Sequence, residues 1–368
     1  MPRTLPAPVI AAIAARHGVI TRQQLLSLGA SERNIGTWVR RGQLWRLSAG
    51  CFAESALWER AAPSLRHTMH VYGIQLISPD VVARGATSAV TWQLPVRSIP
   101  DRPQVLRAPN RAHLASASVQ RRRLDPGHAV TRRGLTTLTL AHTVVDVAAV
   151  ASLPDALITV DAALRGGLRL TDLEAALRSR GTFTGWSNAA AAIDAGDPAA
   201  ESALESLSRG RVIERRLPLP LCNVVIKHQR REARVDKLWV EDGVVGEADG
   251  KSKYSKEDAP TVIWKEKRRH EWLEELGLAV PRWGMPEVGD DGAALERRYR
   301  KAVATQRAVG FRWPDGVTIE VPRLPGVELP ARVLAEVKRL AASGYPISIG
   351  DARRRPGGSP ALWTPVSA

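Results

Sequence analysis

Cysteine is scarce in this sequence, with only Cys51 and Cys222 among 368 residues. Two cysteines so far apart exclude a disulfide framework and a cysteine-rich zinc site. The same scarcity is typical of proteins from a reducing compartment, and we therefore expect a cytoplasmic location.

Long apolar runs are also missing. No stretch reaches the roughly 18 apolar residues that a membrane-spanning helix requires, so we expect no membrane span. The early segment PAPVIAAIAARHGVI is similar to a signal peptide, but its apolar part is short and is interrupted by Arg16 and His17. That interruption favours an amphipathic helix.

Aromatic residues make up only 5% of the chain, yet hydrophobic residues make up 44%. This composition indicates a globular protein rather than a disordered one, and the length suffices for two or three domains.

Positive charge is in clear excess, with a formal net charge of +16. Such an excess favours polyanionic partners, of which nucleic acid is the first candidate for a basic protein of this size. An anionic membrane surface is the alternative, but no amphipathic Lys/Arg helix stands out.

Residues 10–53 predict three helices followed by a hairpin. Thr21 is expected to cap the second helix, with Gln24 at the capping-box position and Gly29 at its end. Ser31 is expected to cap the third helix, which ends at Gly42. The following QLWRLSAGCFAE alternates like two short strands. Together these elements predict a winged helix-turn-helix.

The third helix exposes polar side chains of the kinds that read DNA. Base edges are recognised by Arg, Asn and Thr, whereas flanking arginines hold phosphates. The candidates for base reading are Arg33, Asn34 and Thr37. The candidates for backbone contact are Arg40, Arg41 and Arg46. A protein-interaction module with solvated charges is the alternative.

The remaining chain divides by composition. Residues 61–195 mix helix and strand patterns, and they contain His142 and Asp146 at metal-ligand spacing. Because no third ligand is evident, a core or capping role is favoured for those two. Residues 181–202, rich in Gly, Ala and Ser, predict a linker. The expected domains are residues 1–60, 61–195, 196–325 and 326–368, the last a helix with a flexible tail.

An acidic hairpin is the most informative feature of the C-terminal half. In RVDKLWVEDGVVGEADGK, Asp242-Gly243 between two apolar runs predicts a two-residue turn. That turn would place Asp236 opposite Asp249, with Glu247 diagonal on the same face. Three carboxylates so close would suit a hard divalent cation. A three-residue loop would break the cluster, and an ordinary solvated hairpin is the alternative.

The order of helix, acidic hairpin, helix and strand resembles the restriction-endonuclease-like (PD-(D/E)XK) fold, and more narrowly very-short-patch-repair-like nuclease domains. The segments that carry this resemblance are ESALES, RVDKLW, GEADGKSKY, EKRRHEWLEELG and AVPRW. The segment GVITRQQLLSLGASERNIGTWVRRGQLWRLSAGCFA resembles the winged-helix domain of AbiEi-type antitoxins of type IV toxin-antitoxin systems. The combination of these two modules, with a middle segment like TLTLAHTVVDVA between them, is a recurring arrangement. The resemblance implies a multi-domain α/β protein with a winged helix, a mixed α/β middle region and a C-terminal nuclease-like domain.

The resemblance also implies roles for individual residues. Asp236 would be the first metal-binding acid and Glu247 the second, with Glu201 on the preceding helix as a further acid. Asp249 stands where the family pattern has lysine, and Lys251 follows two residues later. Either Glu247 and Asp249 both bind the metal, or Asp249 is the acid and Lys251 is the lysine.

These features lead to two functional expectations. The first is a DNA-binding protein whose nuclease-like domain hydrolyses phosphodiester bonds with Mg²⁺ or Mn²⁺, Lys251 orienting water or stabilising the oxyanion. The second is a transcriptional repressor, the antitoxin of a type IV system, whose nuclease fold is inactive. DNA is the expected partner in both, a cognate toxin only in the second, and a homodimer is compatible with either.

Overall fold

The computed structural model describes residues 5–109, 114–122, 124–249 and 259–351, excluding the side chains of residues 259–263 and 351. Within this part, fifteen α-helices and three β-sheets form a mixed α/β protein. The chain divides into two compact units, Met1–Val147 and Ala148–Ala368. None of the described helices combines the length and the apolar composition needed to cross a bilayer.

The first unit begins with three helices and a three-stranded antiparallel sheet. Its elements are α1 (Ala7–Ala14), β1 (Val19–Thr21), α2 (Arg22–Ser27), α3 (Glu32–Arg40), β2 (Leu44–Ser48) and β3 (Cys51–Glu54). The strands lie in the order β1-β3-β2, and an apolar cluster that includes Leu25, Ile35 and Phe52 joins helices to sheet. The predicted capping box of Thr21 and Gln24 is confirmed, as is the cap at Ser31.

The rest of the first unit is a five-stranded sheet with helices. The elements are α4 (Ser55–Arg60), α5 (Pro63–Ile77), β4 (Val82–Ala83), α6 (Gly85–Thr91), β5 (Gln104–Arg107), β6 (Ser118–Arg121), β7 (Ala129–Arg132), β8 (Leu135–Leu138) and α7 (Leu140–Ala148), in the sheet order β6-β5-β4-β8-β7. Asp146 accepts hydrogen bonds from Arg84 Nε (2.8 Å) and Gly85 N (2.9 Å). Its carboxylate therefore holds the start of α6, which agrees with the core or capping role favoured by the sequence.

The second unit is built on a six-stranded mixed sheet. Its elements are α8 (Leu153–Arg165), α9 (Leu170–Ser179), α10 (Trp186–Asp194), α11 (Ala203–Glu214), β9 (Leu221–His228), β10 (Arg231–Trp239), β11 (Val244–Ala248), α12 (Ala259–Glu275), β12 (Arg282–Trp283), α13 (Met285–Val288), α14 (Ala293–Val309), β13 (Val317–Arg323), α15 (Ala331–Ala342) and β14 (Ile347–Asp351). The strand order is β12-β11-β10-β9-β13-β14. The two edge pairs are parallel and the inner pairs are antiparallel.

Helices cover both faces of this sheet. One apolar cluster packs Trp272 and Leu273 of α12 and Leu340 of α15 against strands β9, β10, β11 and β13. Another packs residues of α8, α11 and α14 against the opposite face. Because Val245 belongs to the first cluster and its neighbour Val244 to the second, the clusters lie on opposite faces of the sheet. The result is a three-layer core in which β10 and β11 are buried on both sides.

The predicted linker, residues 181–202, differs from what the structure contains. It holds helix α10, whose Ala189, Ala192 and Ile193 are buried. Small alanine side chains allow this helix to pack closely on α8 and α9. The expected boundary after residue 195 therefore falls inside the second unit, and β13 and β14 are strands that the sequence patterns did not reveal.

Candidate active site

The acidic hairpin forms, but with a longer loop than predicted. Strand β10 pairs with β11 so that Lys237 lies opposite Gly246 and Trp239 opposite Val244. Residues 240–243 therefore form a four-residue loop, and the predicted two-residue turn is wrong. The observed register differs from the predicted one by two residues. Asp236 and Glu247 therefore still share one face of the sheet, but Asp236 lies across from Glu247 rather than from Asp249.

Contacts with α14 and the segment after it explain the longer loop. Tyr299 donates a hydrogen bond from its hydroxyl to Asp242 Oδ2 (2.7 Å), and Gln306 donates from Nε2 to the Gly243 carbonyl (2.7 Å). Gly243 has a φ of 61°, and a Cβ there would lie 2.3 Å from the ring of Phe311. Tertiary packing therefore sets the loop, and Asp-Gly supplies the positive φ without being the two-residue turn.

Side-chain alternation is interrupted at Asp236. Val235 and Leu238 pack on the α12 face although they are three residues apart, whereas Trp239 packs on the opposite face. The facing residue on β9, Asn223, has a φ of 51°. This paired irregularity directs Asp236 to the face that carries Glu247, and its Oδ2 accepts a hydrogen bond from Ala248 N (2.7 Å).

Lys237 points away from the acids. It is completely buried, and its Nζ donates to the backbone carbonyl of Glu205 on α11 (3.1 Å). The same ammonium group lies 5.9 Å from the centre of the Trp283 ring. Lys237 therefore supports the opposite layer of the fold and takes no part in the acidic pair.

Glu247 is the most buried acid of the site, at 3% exposed. Arg269 of α12 donates from Nη2 to Glu247 Oε2 (2.5 Å) and from Nη1 to Oε1 (3.2 Å). Burial, together with the nearby charge of Asp236, raises the pKa of Glu247 to about 7, although Arg269 opposes that rise. The site thus holds a carboxylate whose pKa lies well above its usual range.

Asp249 lies beyond the end of β11. Its side chain is about half exposed and its Oδ2 accepts from Arg282 Nη1 at 3.4 Å. Among the residues that the structure describes, no group of three or more His, Cys, Asp or Glu side chains is arranged to hold a metal ion. The site is therefore an Asp236–Glu247 pair with Asp249 beside it, rather than the predicted three-acid cluster. Lys251 lies outside the described residues.

Glu201 is held by a different partner. Its Oε1 pairs with Arg234 Nη2 at 2.6 Å. Glu205, one turn later, accepts from Ser202 Oγ (2.8 Å) and Asn223 Nδ2 (2.6 Å), so its carboxylate caps α11 and joins it to β9. Neither glutamate contacts Asp236 or Glu247 through any hydrogen bond described for them.

Arg269 is a residue of the site that the sequence patterns did not reveal. It precedes Trp272, Leu273 and Leu276, all buried, at the i, i+3, i+4 and i+7 spacing of one helix face. A lone arginine on an apolar face was the signal that could have identified it, because such a charge requires a buried partner.

The DNA-reading candidates of the first unit fall into two groups. Arg33, Arg40, Arg41 and Arg46 have exposed side chains. Asn34 is also exposed, but its Oδ1 accepts from Ser31 N (2.9 Å) and completes the N-terminal cap of α3. Thr37 donates to the Arg33 carbonyl (2.7 Å) and accepts from Arg40 (3.2 Å). The arginines thus offer charge, while Asn34 and Thr37 make bonds within the helix.

No family model matches this chain, and no curated protein matches it. Among solved structures, the RV2827C protein from Mycobacterium tuberculosis is similar in part, with a TM-score of 0.38 and 19% sequence identity. The match covers 60% of this chain and 85% of that one. A similarity at this level assigns neither fold nor function.

The raised pKa of Glu247 predicts a pH-dependent stability. Because the folded protein favours the protonated carboxyl, this group's stabilising contribution is complete below about pH 4.5 and is lost as the pH rises to about 7. In metal-free protein, Glu247→Gln should therefore gain about 2 kcal/mol relative to wild type between pH 5.5 and 8.5. Urea unfolding at the two pH values measures this difference.

Glu241→Gln is the matched control, because Glu241 lies in the loop of the same hairpin and its pairing with Arg339 lowers its pKa. This variant should show no such gain at alkaline pH. A Glu247→Gln difference that stays constant with pH would contradict the raised pKa.

Proposed function

We propose that this protein binds DNA and hydrolyses phosphodiester bonds in a magnesium-dependent reaction at Asp236 and Glu247. The observation that carries the proposal is the closeness of these two carboxylates: Asp236 acts electrostatically on Glu247 and accepts from the amide of Ala248, the next residue after Glu247, while Arg269 of α12 covers Glu247. The three-layer core around β10 and β11, with the acids at the hairpin, supports a restriction-endonuclease-like fold for residues 196–325.

The donor set fits Mg²⁺ or Mn²⁺. Its candidate ligands are carboxylate oxygens, which hard divalent cations prefer, and one or two carboxylates with waters suffice for Mg²⁺. Asp236 and Glu247 would hold the ion, with waters as its remaining ligands. Two acids this close are also mutually unfavourable when both are ionised, and a divalent cation relieves that repulsion. A bound ion would activate water and neutralise charge developing on the phosphate.

The surrounding side chains supply orientation and positive charge. The Ala248 amide holds one oxygen of Asp236, which fixes the direction of that carboxylate. Arg282 lies beside Glu247 on the neighbouring strand β12, and its guanidinium reaches Asp249. A cation at this position suits a DNA phosphate, because arginine binds phosphate through paired hydrogen bonds. Lys251 remains a candidate for orienting water or stabilising the oxyanion.

The first unit supports DNA binding. The order α1, β1, α2, α3, β2, β3 with a three-stranded sheet is compatible with a winged helix-turn-helix. In that interpretation α3 enters the major groove and the β2–β3 hairpin is the wing. The exposed arginines of α3 and β2 would then contact phosphates, and Arg33 at the start of α3 is the first candidate for a base edge.

Transcriptional repression without catalysis is the second candidate function. The observation that favours it is that Arg269 donates to both carboxylate oxygens of Glu247. An acid already neutralised by arginine can serve the fold alone. The protein would then act as the antitoxin of a type IV system. A specific shift of its own promoter, lost in Arg33→Ala/Thr37→Ala, with no plasmid cleavage would support this function.

The nuclease proposal predicts metal-dependent plasmid cleavage. Full-length protein should nick supercoiled DNA with Mg²⁺ or Mn²⁺ and not with EDTA. Asp236→Asn and Glu247→Gln should each reduce the rate at least about 100-fold, because each removes a ligand of the ion that activates water. Gel analysis of nicked and linear plasmid measures the rate.

Glu241→Gln, in the same hairpin, serves as the control and should cleave like wild type. Equal background cleavage in wild type, Asp236→Asn and Glu247→Gln would overturn the nuclease proposal.

The DNA-binding proposal predicts an electrostatic loss when α3 arginines are removed. Arg33→Ala/Arg40→Ala in the full chain should weaken binding to a mixed-sequence duplex and lower the salt slope of log K by about 2. Fluorescence anisotropy over a series of salt concentrations measures both quantities. Arg60→Ala, an exposed arginine of α4, should leave them unchanged. A double variant with the wild-type affinity and slope would contradict α3 as the DNA-binding helix.

A further inference from the structure

Arg269 holds Glu247 by donating to both of its carboxylate oxygens, at 2.5 and 3.2 Å. Its Nη1 also donates to the backbone carbonyl of Arg234 at 2.8 Å. The guanidinium is therefore bound to β10 and β11 together, on the face that carries Asp236.

This arrangement conflicts with metal coordination by the same acid. Mg²⁺ binds its oxygen ligands at roughly 2.0–2.1 Å and requires near-octahedral geometry. A guanidinium that uses both oxygens of Glu247 restricts that approach. Its positive charge is permanent in proteins, so it also repels a divalent cation at close range.

We infer that Arg269 is an internal competitor of the metal: it occupies both oxygens of Glu247 in the metal-free protein and must release that carboxylate when the ion binds. The inference rests on the proposed metal centre. It gives the centre two states, one closed by arginine and one loaded with metal, that exclude each other at Glu247.

The helix offers Arg269 a second acidic partner. Glu266 lies one turn earlier on α12 and attracts the Arg269 guanidinium electrostatically. A rotation of the long arginine side chain toward Glu266 would free Glu247 while α12 keeps its packing through Trp272 and Leu273. The change therefore needs a side-chain movement and not a rearrangement of the sheet.

Mn²⁺ titration of full-length protein tests the inference. Calorimetry of wild type, Arg269→Gln and the control Arg268→Gln should show Mn²⁺ binding at least about tenfold tighter in Arg269→Gln than in the other two. Arg268 is a suitable control because it is exposed and lies against Trp264 at 4.7 Å. A merely structural arginine would not produce a gain in affinity, since damage to the fold weakens binding.

Thermal unfolding gives a second readout. Arg269→Gln should melt lower than wild type without metal, because it loses a buried ion pair, and should show the larger rise in melting temperature on adding Mn²⁺. If Arg269→Gln does not fold, Arg269→Met replaces it, because methionine can pack beside Leu273. This variant should show the same gain in Mn²⁺ affinity over wild type.

The outcomes separate this inference from the proposed function. Mn²⁺ binding by wild type that is equal or weaker in the Arg269 variants would overturn the competitor role and leave the metal centre standing. Failure of wild type and the Arg269 variants alike to bind Mn²⁺ would overturn both.

Discussion

A carboxylate as inaccessible as that of Glu247 must be neutralised or protonated, because burying an unpaired charge costs several kcal/mol. Arg269 of α12 supplies a positive charge at Glu247, so this helix lies against the strand that carries Glu247. The same guanidinium bonds to the Arg234 carbonyl, so α12 is fastened to two strands of the sheet. Trp272 and Leu273, on the apolar face of α12, pack in the core. The ion pair and this apolar packing together place α12 over the acids.

The irregularity shared by Asp236 and Asn223 adds a second constraint. Without it, strict alternation along β10 would place Asp236 and Val235 on opposite faces of the sheet. With it, Asp236 faces α12 and Lys237 turns to the opposite face, where it bonds to α11. The Asn223 side chain bonds to Glu205 and to the Ala199 carbonyl, which stabilises its left-handed backbone. The acidic pair therefore depends on residues from three strands and two helices.

Local signals predicted local structure well. The caps at Thr21 and Ser31 depend on a few neighbouring residues, and both occur as expected. The register of the acidic hairpin was wrong, because contacts from Tyr299, Gln306 and Phe311, far along the chain, set its loop. The buried helix within residues 181–202 was mistaken for a linker for a similar reason, since only tertiary packing reveals that its alanines are interior.

The candidate site was partly visible in the sequence. Asp236 and Glu247 follow from the alternation of the hairpin, and a shift of two residues preserves their common face. In the sequence, Arg269 is only a charged residue at a position of the apolar face of its helix. Its partner could not be known without the packing of α12 on the sheet. Asp249 was expected inside the cluster, but it lies past the strand end because the loop takes up two more residues.

The most direct test is a crystal structure of the full chain soaked in MnCl₂ at pH 8, because alkaline pH favours the ionised form of Glu247. We expect an anomalous peak roughly 2.0–2.2 Å from oxygens of both Asp236 and Glu247, with the Arg269 guanidinium moved away from Glu247. A map without a peak at these acids, with Arg269 still bonded to both oxygens of Glu247, would contradict this expectation.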